Sequence, residues 1–384
     1  MDQMVALVPC TSYDEHEVSQ ALKRAVDYIG GWDRYIKPGQ RVLLKVNLLT
    51  KRSPEQAVTT HPALVKEVAA SVIRAGGKPI IYDSPGGQFT KAILKDVYEG
   101  CGMTQVANEL GIELNFDLAA IEALAPKEAI VRSFILSRAV RDADVIINLP
   151  KLKSHGLTRY TGAVKNLYGC IPGLQKADYH LQFPELDKFI SFLLDLALTI
   201  KPALTIMDAV VGMEGEGPSA GTPRQLGFLL ASPSVFALDA AAVGLIGQSI
   251  AQIPSTNIAR KRGLLQHWTE DMVVGTELNQ AAVRDFVVPP PGGTSFRLLG
   301  YPVPPQWIKL AGRLFGARPV FDLDKCRQCG ICVRSCPAKA LTLTAGQPVL
   351  DLEKCIRCFC CQELCPKQAV SIRRSWLSRY FLGG

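Results

Sequence analysis

The sequence of 384 residues predicts an α/β main domain, with a parallel sheet and helices on both faces, followed by a small α+β module rich in cysteine. Two observations lead to this prediction. Short apolar runs rich in strand-forming residues alternate with amphipathic stretches of helical spacing, which is typical of a parallel sheet with right-handed crossovers. Near the end of the chain, eight cysteines from Cys326 to Cys365 form two copies of one pattern.

The main domain begins with strand, helix, strand and helix in turn. The apolar run 41–46 follows a Lys-Pro-Gly turn signal and predicts a buried strand that ends at Asn47. The next segment opens at Pro62 and places apolar residues at helical spacing until it stops at Gly76. The predicted strands are 41–46, 79–82, 129–136, 145–147, 204–206 and 227–231, and the predicted helices are 62–75, 91–110, 157–167, 184–200 and 235–246.

Proline-rich segments indicate where the domains meet. The main domain is expected to cover residues 1–290 and to end in the run Pro289-Pro-Pro-Gly-Gly. A proline-rich linker with an amphipathic docking helix is predicted over 291–320. The cysteine module is predicted over 321–372, and a basic amphipathic tail over 373–384.

Charge and hydropathy argue against some classes of protein. A formal net charge of +8 is too small for a chain of this length to indicate a nucleic-acid partner. The longest apolar stretches are short or interrupted by proline, aspartate and glycine, so no transmembrane segment is expected. The first residues lack the basic and apolar regions of a secretion signal, and a cytoplasmic location is therefore expected.

Each copy of the cysteine pattern has three cysteines at three-residue steps, then a fourth that is followed by proline. The first three thiolates of a copy suit one multi-iron cluster, while the fourth points towards the cluster of the other copy. Zinc is the alternative, but zinc favours two C-x2-C pairs and does not use a third cysteine at the same step. The spacing therefore predicts two [4Fe-4S] clusters with crossed ligation. Their predicted ligands are Cys326, Cys329, Cys332 and Cys365 for the first, and Cys336, Cys355, Cys358 and Cys361 for the second.

Residues 321–372 resemble a bacterial ferredoxin with two clusters, because the duplicated cysteine motif is highly specific. The resemblance implies that the module transfers electrons. It also implies a protein partner that donates or accepts them.

Polar residues stand where the predicted strands of the main domain end. Asn47, Asp83, Asn148 and Asp208 take these positions, and in an open parallel sheet ligands bind beyond the carboxyl ends of the strands. The stretch after Asn148 is rich in lysine and histidine, which suit an anionic small molecule. A basic loop in solvent is the alternative, because lysines are mostly exposed. The candidate catalytic residues are Lys151, Lys153, His155, Lys165 and His180, with Lys176 beside them.

A second candidate site is the glycine-rich stretch 208–223. It lacks the lysine and hydroxyl residue of a phosphate-binding loop, so a nucleotide is only weakly indicated. Its glycines allow the backbone to approach a ligand closely, and Glu214 and Glu216 suit proton transfer or a hard cation. A plain flexible loop is equally consistent with this pattern.

The motifs of these stretches together resemble the domain-of-unknown-function 362 family over roughly residues 40–250. The usual Lys-Pro-Asn motif of the family appears here as Lys45-Val-Asn47, which leaves the polar pair intact. The other matching motifs are the Pro-Lys-Leu-Lys-Ser-His run ending at His155, the Lys165-Asn-Leu-Tyr-Gly run and the Met-Glu-Gly-Glu-Gly-Pro run from Met213. The resemblance implies a functional site, and its expected cofactor-binding residues are Lys45, Asn47, Asn166, Asp208, Glu214 and Glu216. A fainter resemblance to the N-terminal domain of nickel-pincer lactate racemases implies an additional organic cofactor or metal in the main domain.

These patterns predict an iron-sulfur electron-transfer protein. The first hypothesis is an oxidoreductase whose clusters deliver single electrons to an anionic substrate or organic cofactor in the main domain. The second is a non-enzymatic electron carrier or assembly protein whose main domain docks a partner. A third is that the clusters only stabilise the fold, as metal sites in small domains do.

Overall fold

The structure is a computed structural model that describes residues 3–290, 297–298, 301–302 and 317–374. The main domain is built on one sheet of ten strands, beside which β5 and β6 form a separate hairpin. The strands of this domain are β1 (Val5–Pro9), β2 (Arg41–Lys45), β3 (Lys78–Tyr82), β4 (Glu113–Leu114), β5 (Ala120–Leu124), β6 (Ser133–Ser137), β7 (Val145–Asn148), β8 (Lys151–His155), β9 (Arg159–Thr161), β10 (Leu204–Glu214), β11 (Thr222–Ser232) and β12 (Val273–Gly275).

The strands lie in the order β12-β1-β11-β10-β7-β2-β3-β4, with β8 paired to β10 and β9 paired to β8. Most pairs are parallel, including all those from β10 through β7, β2 and β3 to β4. The pairs of β11 with β1 and β10, and of β8 with β9, are antiparallel. The predicted α/β fold is confirmed as a mixed sheet of mostly parallel strands. The long β10–β11 hairpin is the part that the short apolar runs at 204–206 and 227–231 did not reveal.

Helices cover both faces of the sheet, as the sequence predicts. Val42 and Leu44 of β2 pack into one core, and Leu43 between them packs into the other, because successive side chains of a strand point to opposite faces. The helices of the main domain are α1 (Glu15–Tyr28), α2 (Pro62–Arg74), α3 (Lys91–Gly100), α4 (Met103–Leu110), α5 (Arg138–Arg141), α6 (Ala163–Asn166), α7 (Gln175–Gln182), α8 (Leu186–Ile200), α9 (Val235–Leu245), α10 (Pro254–Lys261) and α11 (Leu278–Ala281). The core that holds Val42 is covered by α1 to α4, and the other core by α8 and α9.

The region after β7 differs most from the sequence prediction. The predicted helix over 157–167 is wrong in its first half, where residues 159–161 form β9 and α6 begins only at Ala163. The sequence also predicts no strand at 151–155, since lysine, serine and histidine dominate there, yet all five residues of β8 are buried. The predicted helical stretch 91–110 is divided into α3 and α4 at Gly102, whose φ of 78° no regular helix allows.

The cysteine module contains small antiparallel sheets and two short helices, which confirms the predicted ferredoxin-like architecture. The two cysteine runs begin alike: Asp322 and Asp351 each accept a hydrogen bond from the backbone N–H two residues on. The elements from residue 297 onwards are β13 (Arg297–Leu298), β14 (Tyr301–Pro302), β15 (Arg318–Phe321), α12 (Ile331–Arg334), β16 (Leu341–Thr344), β17 (Gln347–Leu350), α13 (Cys360–Glu363) and β18 (Val370–Arg373). In the module, β15 pairs with β18 and β16 pairs with β17.

Two predicted segments fall largely beyond this description. The docking helix expected between residues 306 and 315 lies outside the described residues, as does most of the tail expected over 373–384. Within the residues that the structure describes, none of the helices has both the length and the hydropathy that crossing a membrane requires.

Candidate functional site

A cavity lies at the ends of the central strands, between the main domain and the cysteine module. Its empty volume is about 770 Å³, part of which is open to solvent. The basic residues that line it are Lys45, Lys153, His155, Lys165, Lys176 and His180. The module contributes Ser335, Cys360, Glu363 and Leu364. The cavity is therefore formed by both domains, at the edge of the sheet where parallel strands place ligands.

Lys45 ends β2 and is fully buried in the cavity wall. Its Nζ lies 2.8 Å from Asp83 Oδ1 and donates to the carbonyl oxygen of Val46 at 2.6 Å. A third acceptor is Asn166 Oδ1, at 3.4 Å. Asp83 follows β3, and its other oxygen accepts from the N–H of Leu48 at 2.7 Å. All three donors of the Lys45 ammonium are therefore used within the protein.

Three asparagines connect the neighbouring segments beneath the cavity. Asn166 Nδ2 donates to Asn148 Oδ1 at 2.8 Å, and Asn166 Oδ1 accepts from Asn47 Nδ2 at the same distance. These residues come from the end of α6, the end of β7 and the turn after β2. The network fixes the relative positions of three segments that carry basic side chains.

Lys153 enters the cavity from β8. Its Nζ donates to Asn47 Oδ1 at 2.8 Å and to the carbonyl oxygen of Val58 at 2.7 Å. Burial lowers the pKa of Lys153 to about 7. One of its three donors remains available to a ligand.

Lys176 lies on α7 at the far side of the cavity. Its Nζ donates to the backbone oxygen of Ser84 at 3.0 Å, to the Ser84 hydroxyl at 2.8 Å and to the carbonyl oxygen of Ile171 at 2.8 Å. Burial lowers the pKa of Lys176 to about 7 as well. Like Lys45, this lysine has no donor left over, so both act in holding the cavity together.

Lys165 and His180 differ from the other basic residues, because neither side chain has a hydrogen-bond partner among the described residues. Lys165 Nζ lies 4.8 Å from the centre of the Tyr168 ring, and the His180 ring stacks on Phe189 with 4.3 Å between centres. Burial lowers the pKa of Lys165, and burial together with the nearby Lys165 lowers the pKa of His180 to about 3. At neutral pH the His180 ring is therefore neutral and offers one donor and one acceptor.

His155, at the end of β8, meets Glu363 of the module. Its Nε2 lies 3.1 Å from Glu363 Oε1, and its Nδ1 accepts from the N–H of Leu157 at 3.0 Å. Since Nδ1 is an acceptor, the proton of the neutral ring is on Nε2. Nε2 and the carboxylate oxygen are close, but their contact does not have hydrogen-bond geometry. Burial lowers the pKa of His155. Burial raises the pKa of Glu363, but His155 and Lys165 more than offset this and hold that pKa well below its usual range.

Further contacts fasten the module over the cavity. The two Nη atoms of Arg52 donate to the carbonyl oxygens of Cys365 and Pro366, both at 2.8 Å. Gly156, just after β8, lies so close to the module that a Cβ there would stand 2.3 Å from Ile372 Cδ1. A larger residue at this position would push the module away from the main domain.

The structure brings eight cysteines together in two groups of four, and each group combines three cysteines of one run with the fourth of the other. The groups surround spaces of about 420 and 330 Å³. The outer group is Cys326, Cys329, Cys332 and Cys365, and the inner group is Cys336, Cys355, Cys358 and Cys361. Four thiols that face one space fit a [4Fe-4S] cluster, which four cysteine thiolates hold. Cys360 lines both the inner group's space and the cavity.

Lys151 and Asp208 do not line the cavity. Lys151 Nζ lies 2.9 Å from Asp208 Oδ2 and donates to the Tyr13 hydroxyl at 2.7 Å. The Tyr13 hydroxyl in turn donates to Asp208 Oδ1 at 2.8 Å. Both charged side chains are fully buried, so this network ties β8 and β10 to the loop before α1 and does not face the cavity.

Glu214 and Glu216 also lie away from the cavity. Glu214 accepts from the N–H of Val287 at 3.0 Å, and Glu216 Oε1 lies 2.5 Å from Arg374, which directly follows β18. Both carboxylates thus hold segments of the chain together, and neither lines the cavity. The described residues contain no group of three or more His, Cys, Asp or Glu side chains arranged for a single metal ion.

Two polar residues of the cavity, Ser84 and Glu363, are not among the predicted site residues. Ser84 stands in a Ser-Pro-Gly-Gly stretch before a helix, a pattern that suits a small anion-binding nest but favours a plain turn. Glu363 follows Cys361 of the inner group by two residues, and nothing local indicates that it faces the main domain. Only the docking of the module brings it to His155.

An α/β domain with a basic cavity at its strand ends, closed by a module that carries two groups of four cysteines, defines an iron-sulfur protein. Residues 42–244 match the family described as Domain of unknown function (DUF362), and residues 318–366 match a 4Fe-4S dicluster domain. A thylakoid-associated protein of Synechocystis is 38% identical over 269 residues, which cover 69% of this chain and 81% of that protein. This chain therefore belongs to the domain-of-unknown-function 362 family.

One solved structure is similar at a lower level. The lactate racemase apoprotein of Thermoanaerobacterium thermosaccharolyticum is 13% identical, with a TM-score of 0.39. The match covers 65% of this chain and 58% of the racemase chain.

Proposed function

We propose that this protein is an iron-sulfur oxidoreductase that exchanges single electrons with an organic anion held in the cavity. One observation carries the proposal: the second cysteine run, which supplies three of the four cysteines of the inner group, forms part of the wall of the basic cavity. Cys360 and Glu363 stand in that wall, and Cys360 also borders the space enclosed by the inner cysteine group. When bound, [4Fe-4S] clusters supply electrons one at a time, often at low potential.

The available hydrogen-bond donors indicate where the anion is held. Lys45 and Lys176 have their donors occupied by protein acceptors, whereas Lys153 has one left and Lys165 has all three. His180 adds one N–H beside Lys165. These three residues come from β8, α6 and α7. A single carboxylate or phosphate group between them satisfies the unused donors without disturbing the others.

The remainder of the cavity indicates the character of the ligand's body. Leu49, Leu174, Leu364 and Pro218 line it together with the basic groups. Leu174 is 43% exposed, so the apolar wall reaches the surface. A cavity with both kinds of lining suits an organic acid with an apolar body. Such a ligand places its charged group near Lys165 and its body against the leucines.

Mass spectrometry of small molecules retained by protein purified without oxygen is the first experiment. We expect wild-type protein and the surface control Lys23→Gln to retain the same organic anion. Lys165→Gln should lose it, because leaving a buried anion without its charged partner costs about 2 to 5 kcal/mol. His180→Ala should also lose it, because a hydrogen bond to a charged group contributes about 1.5 to 3 kcal/mol. Lys23 is a fair control, since its side chain is 77% exposed and forms only a surface pair with Asp27.

The second experiment asks whether the retained molecule exchanges electrons with the module. Rapid reduction of the protein, followed by absorption of the iron-sulfur centres, should show faster reoxidation when the molecule is present. Equal retention in Lys165→Gln, His180→Ala and wild type, with intact iron content, would exclude the cavity as the site. Co-purification with a redox protein and no small molecule would then favour the carrier or assembly role.

A further inference from the structure

Cys329 is the exposed member of the twelve cysteines. It belongs to the outer group, whose other three members are partly buried. The inner group has no exposed member, and its neighbour Cys360 is buried against the cavity. The outer group therefore comes closest to solvent, while the inner group lies next to the cavity.

Basic side chains surround Cys329. Arg327 and Lys367 are the charged residues that line the space of the outer group. Arg334 lies beside Gly330, where a Cβ would stand 3.0 Å from its Nη1. All three side chains are exposed, and none forms an ion pair with another described residue. The positive charges of this face are thus available to a partner.

An exposed apolar side chain lies within the basic face. Leu343 of β16 lines the outer group's space and is 44% exposed. It also stands 3.4 Å from the position of a Cβ on Gly330. An apolar centre with a charged rim is the usual composition of a protein docking surface.

We propose that this face, defined by Arg327, Cys329, Arg334, Leu343 and Lys367, docks a small acidic one-electron carrier protein. The proposal rests on the function proposed above and names the class of partner that supplies electrons to the module. The four cysteines of the outer group would hold the cluster that accepts one electron from the reduced carrier in each encounter, and no bond would form or break. The inner group's space shares Cys360 with the cavity, so an electron taken up at the outer group would reach the cavity by way of the inner group.

The charge of the face selects the carrier. A basic patch attracts an acidic partner and raises the association rate, and this effect weakens as salt increases. Complementary charges also orient the partner, so that its redox centre meets Cys329. A nucleic acid or an anionic membrane is negatively charged like the carrier protein, but neither exchanges electrons and neither requires an exposed cysteine in the face.

The test compares charge reversals on two faces of the module. Arg327→Glu/Lys367→Glu alters the proposed face, and Lys354→Glu is the matched control, because Lys354 occupies the equivalent turn before the second run. The probe is flavodoxin, a small acidic carrier: its oxidised form is used for equilibrium binding and its reduced form for stopped-flow reduction. At low salt, we expect the double variant to bind flavodoxin about tenfold or more weakly and to be reduced by it about tenfold or more slowly, as electrostatic steering allows. The control should stay within about twofold, as a rim charge far from the contact does.

Two further measurements decide the remaining outcomes. Reduction by photoreduced deazariboflavin, which is small and neutral, should be equal in all variants with full iron content. If the double variant contains too little iron, Arg334→Glu is used in its place. Its affinity for flavodoxin and its rate of reduction should both fall by at least about threefold. Binding to vesicles of phosphatidylglycerol and phosphatidylcholine is measured alongside. The proposal would be overturned if the double variant bound flavodoxin and was reduced by it as wild type is, or if the variant lost only its binding to the vesicles. Because no cavity ligand is present in these assays, their result is independent of the ligand-retention experiment.

Discussion

His155 Nε2 lies 3.1 Å from Glu363 Oε1, and this contact joins the end of β8 in the main domain to α13 in the module. Both residues are buried. Glu363 belongs to the same short helix as Cys360, so the contact also sets the position of the inner cysteine run against the cavity.

Glu363→Ala should loosen the module. The substitution removes the polar group nearest to His155 Nε2 and leaves a gap against the buried ring, and a buried polar group without a partner costs about 1 to 3 kcal/mol. Hydrogen exchange should become faster in residues 153–158 and 360–365 of this variant. Glu363→Gln keeps an oxygen acceptor at the same distance along the side chain and should exchange nearly as slowly as wild type. Identical exchange in Glu363→Ala and wild type would show that other contacts alone hold the module.

Cys365→Ser should damage the outer cluster, although Cys365 stands in the second run. Wild-type protein assembled without oxygen should contain about eight iron and eight sulfide ions, as two [4Fe-4S] clusters require. In the variant, electron paramagnetic resonance should show that the centre held by Cys326, Cys329 and Cys332 has changed.

Cys360→Ser provides the control for that prediction, because Cys360 belongs to neither group of four. It should keep both clusters. A spectrum of Cys365→Ser in which only the inner centre is perturbed would argue against crossed ligation, and zinc in place of iron would exclude the clusters altogether.

Lys151→Ala should destabilise the main domain and leave the ligand contacts intact. The substitution strands the Asp208 carboxylate in a fully buried position, and breaking a buried ion pair costs about 3 to 5 kcal/mol. The midpoint of urea unfolding, followed by tryptophan fluorescence, should fall sharply. Lys23→Ala, which removes an exposed ion pair, should shift it little. If Lys151→Ala lost the retained ligand while its stability was unchanged, Lys151 would belong to the binding site after all.

Binding of an organic anion should weaken as the pH rises above about 7, because burial lowers the pKa of Lys153 to about 7. The charged form of this lysine attracts the anion, so binding raises its pKa and takes up a proton. Above pH 7 the affinity should fall by up to about tenfold per pH unit until the pKa of the bound state is reached. Calorimetry with benzoate in buffers of different ionisation enthalpy measures this uptake.

Lys153→Met is the variant that tests the assignment. It should bind benzoate weakly at every pH and show no proton uptake near pH 7. An unchanged pH profile in this variant would assign the proton to Lys176, whose pKa is also about 7.

The cysteine module could be predicted from the sequence because its information is local. Two residues between successive cysteines and a proline after the last are enough to indicate crossed groups. The strands and helices of the main domain were also accessible, since apolar periodicity reports which side of an element is buried. Thus the run 41–46 predicted β2, whose residues alternate between the two cores.

The basic segment after β7 was less accessible, because its polar residues are buried by partners far away in the chain. Lys151 and Lys153 are two residues apart and would share a face in a regular strand. In the structure their pairing with β10 shifts, from Asp208 opposite Lys151 to Met213 opposite Lys153. This irregularity lets one lysine enter the Asp208 network and the other enter the cavity. No local pattern reveals such a shift in register.

Arg52 holds the carbonyl oxygens of Cys365 and Pro366, and the chain between residues 290 and 317 ties the same module to the main domain. The two partners of this contact are therefore never diluted from each other. Tethering of this kind gives an effective concentration on the order of millimolar, so contacts that are individually weak keep the module in place. Each cavity thus has its own cysteine module in constant proportion, and the contact between them does not depend on how much of the protein the cell contains.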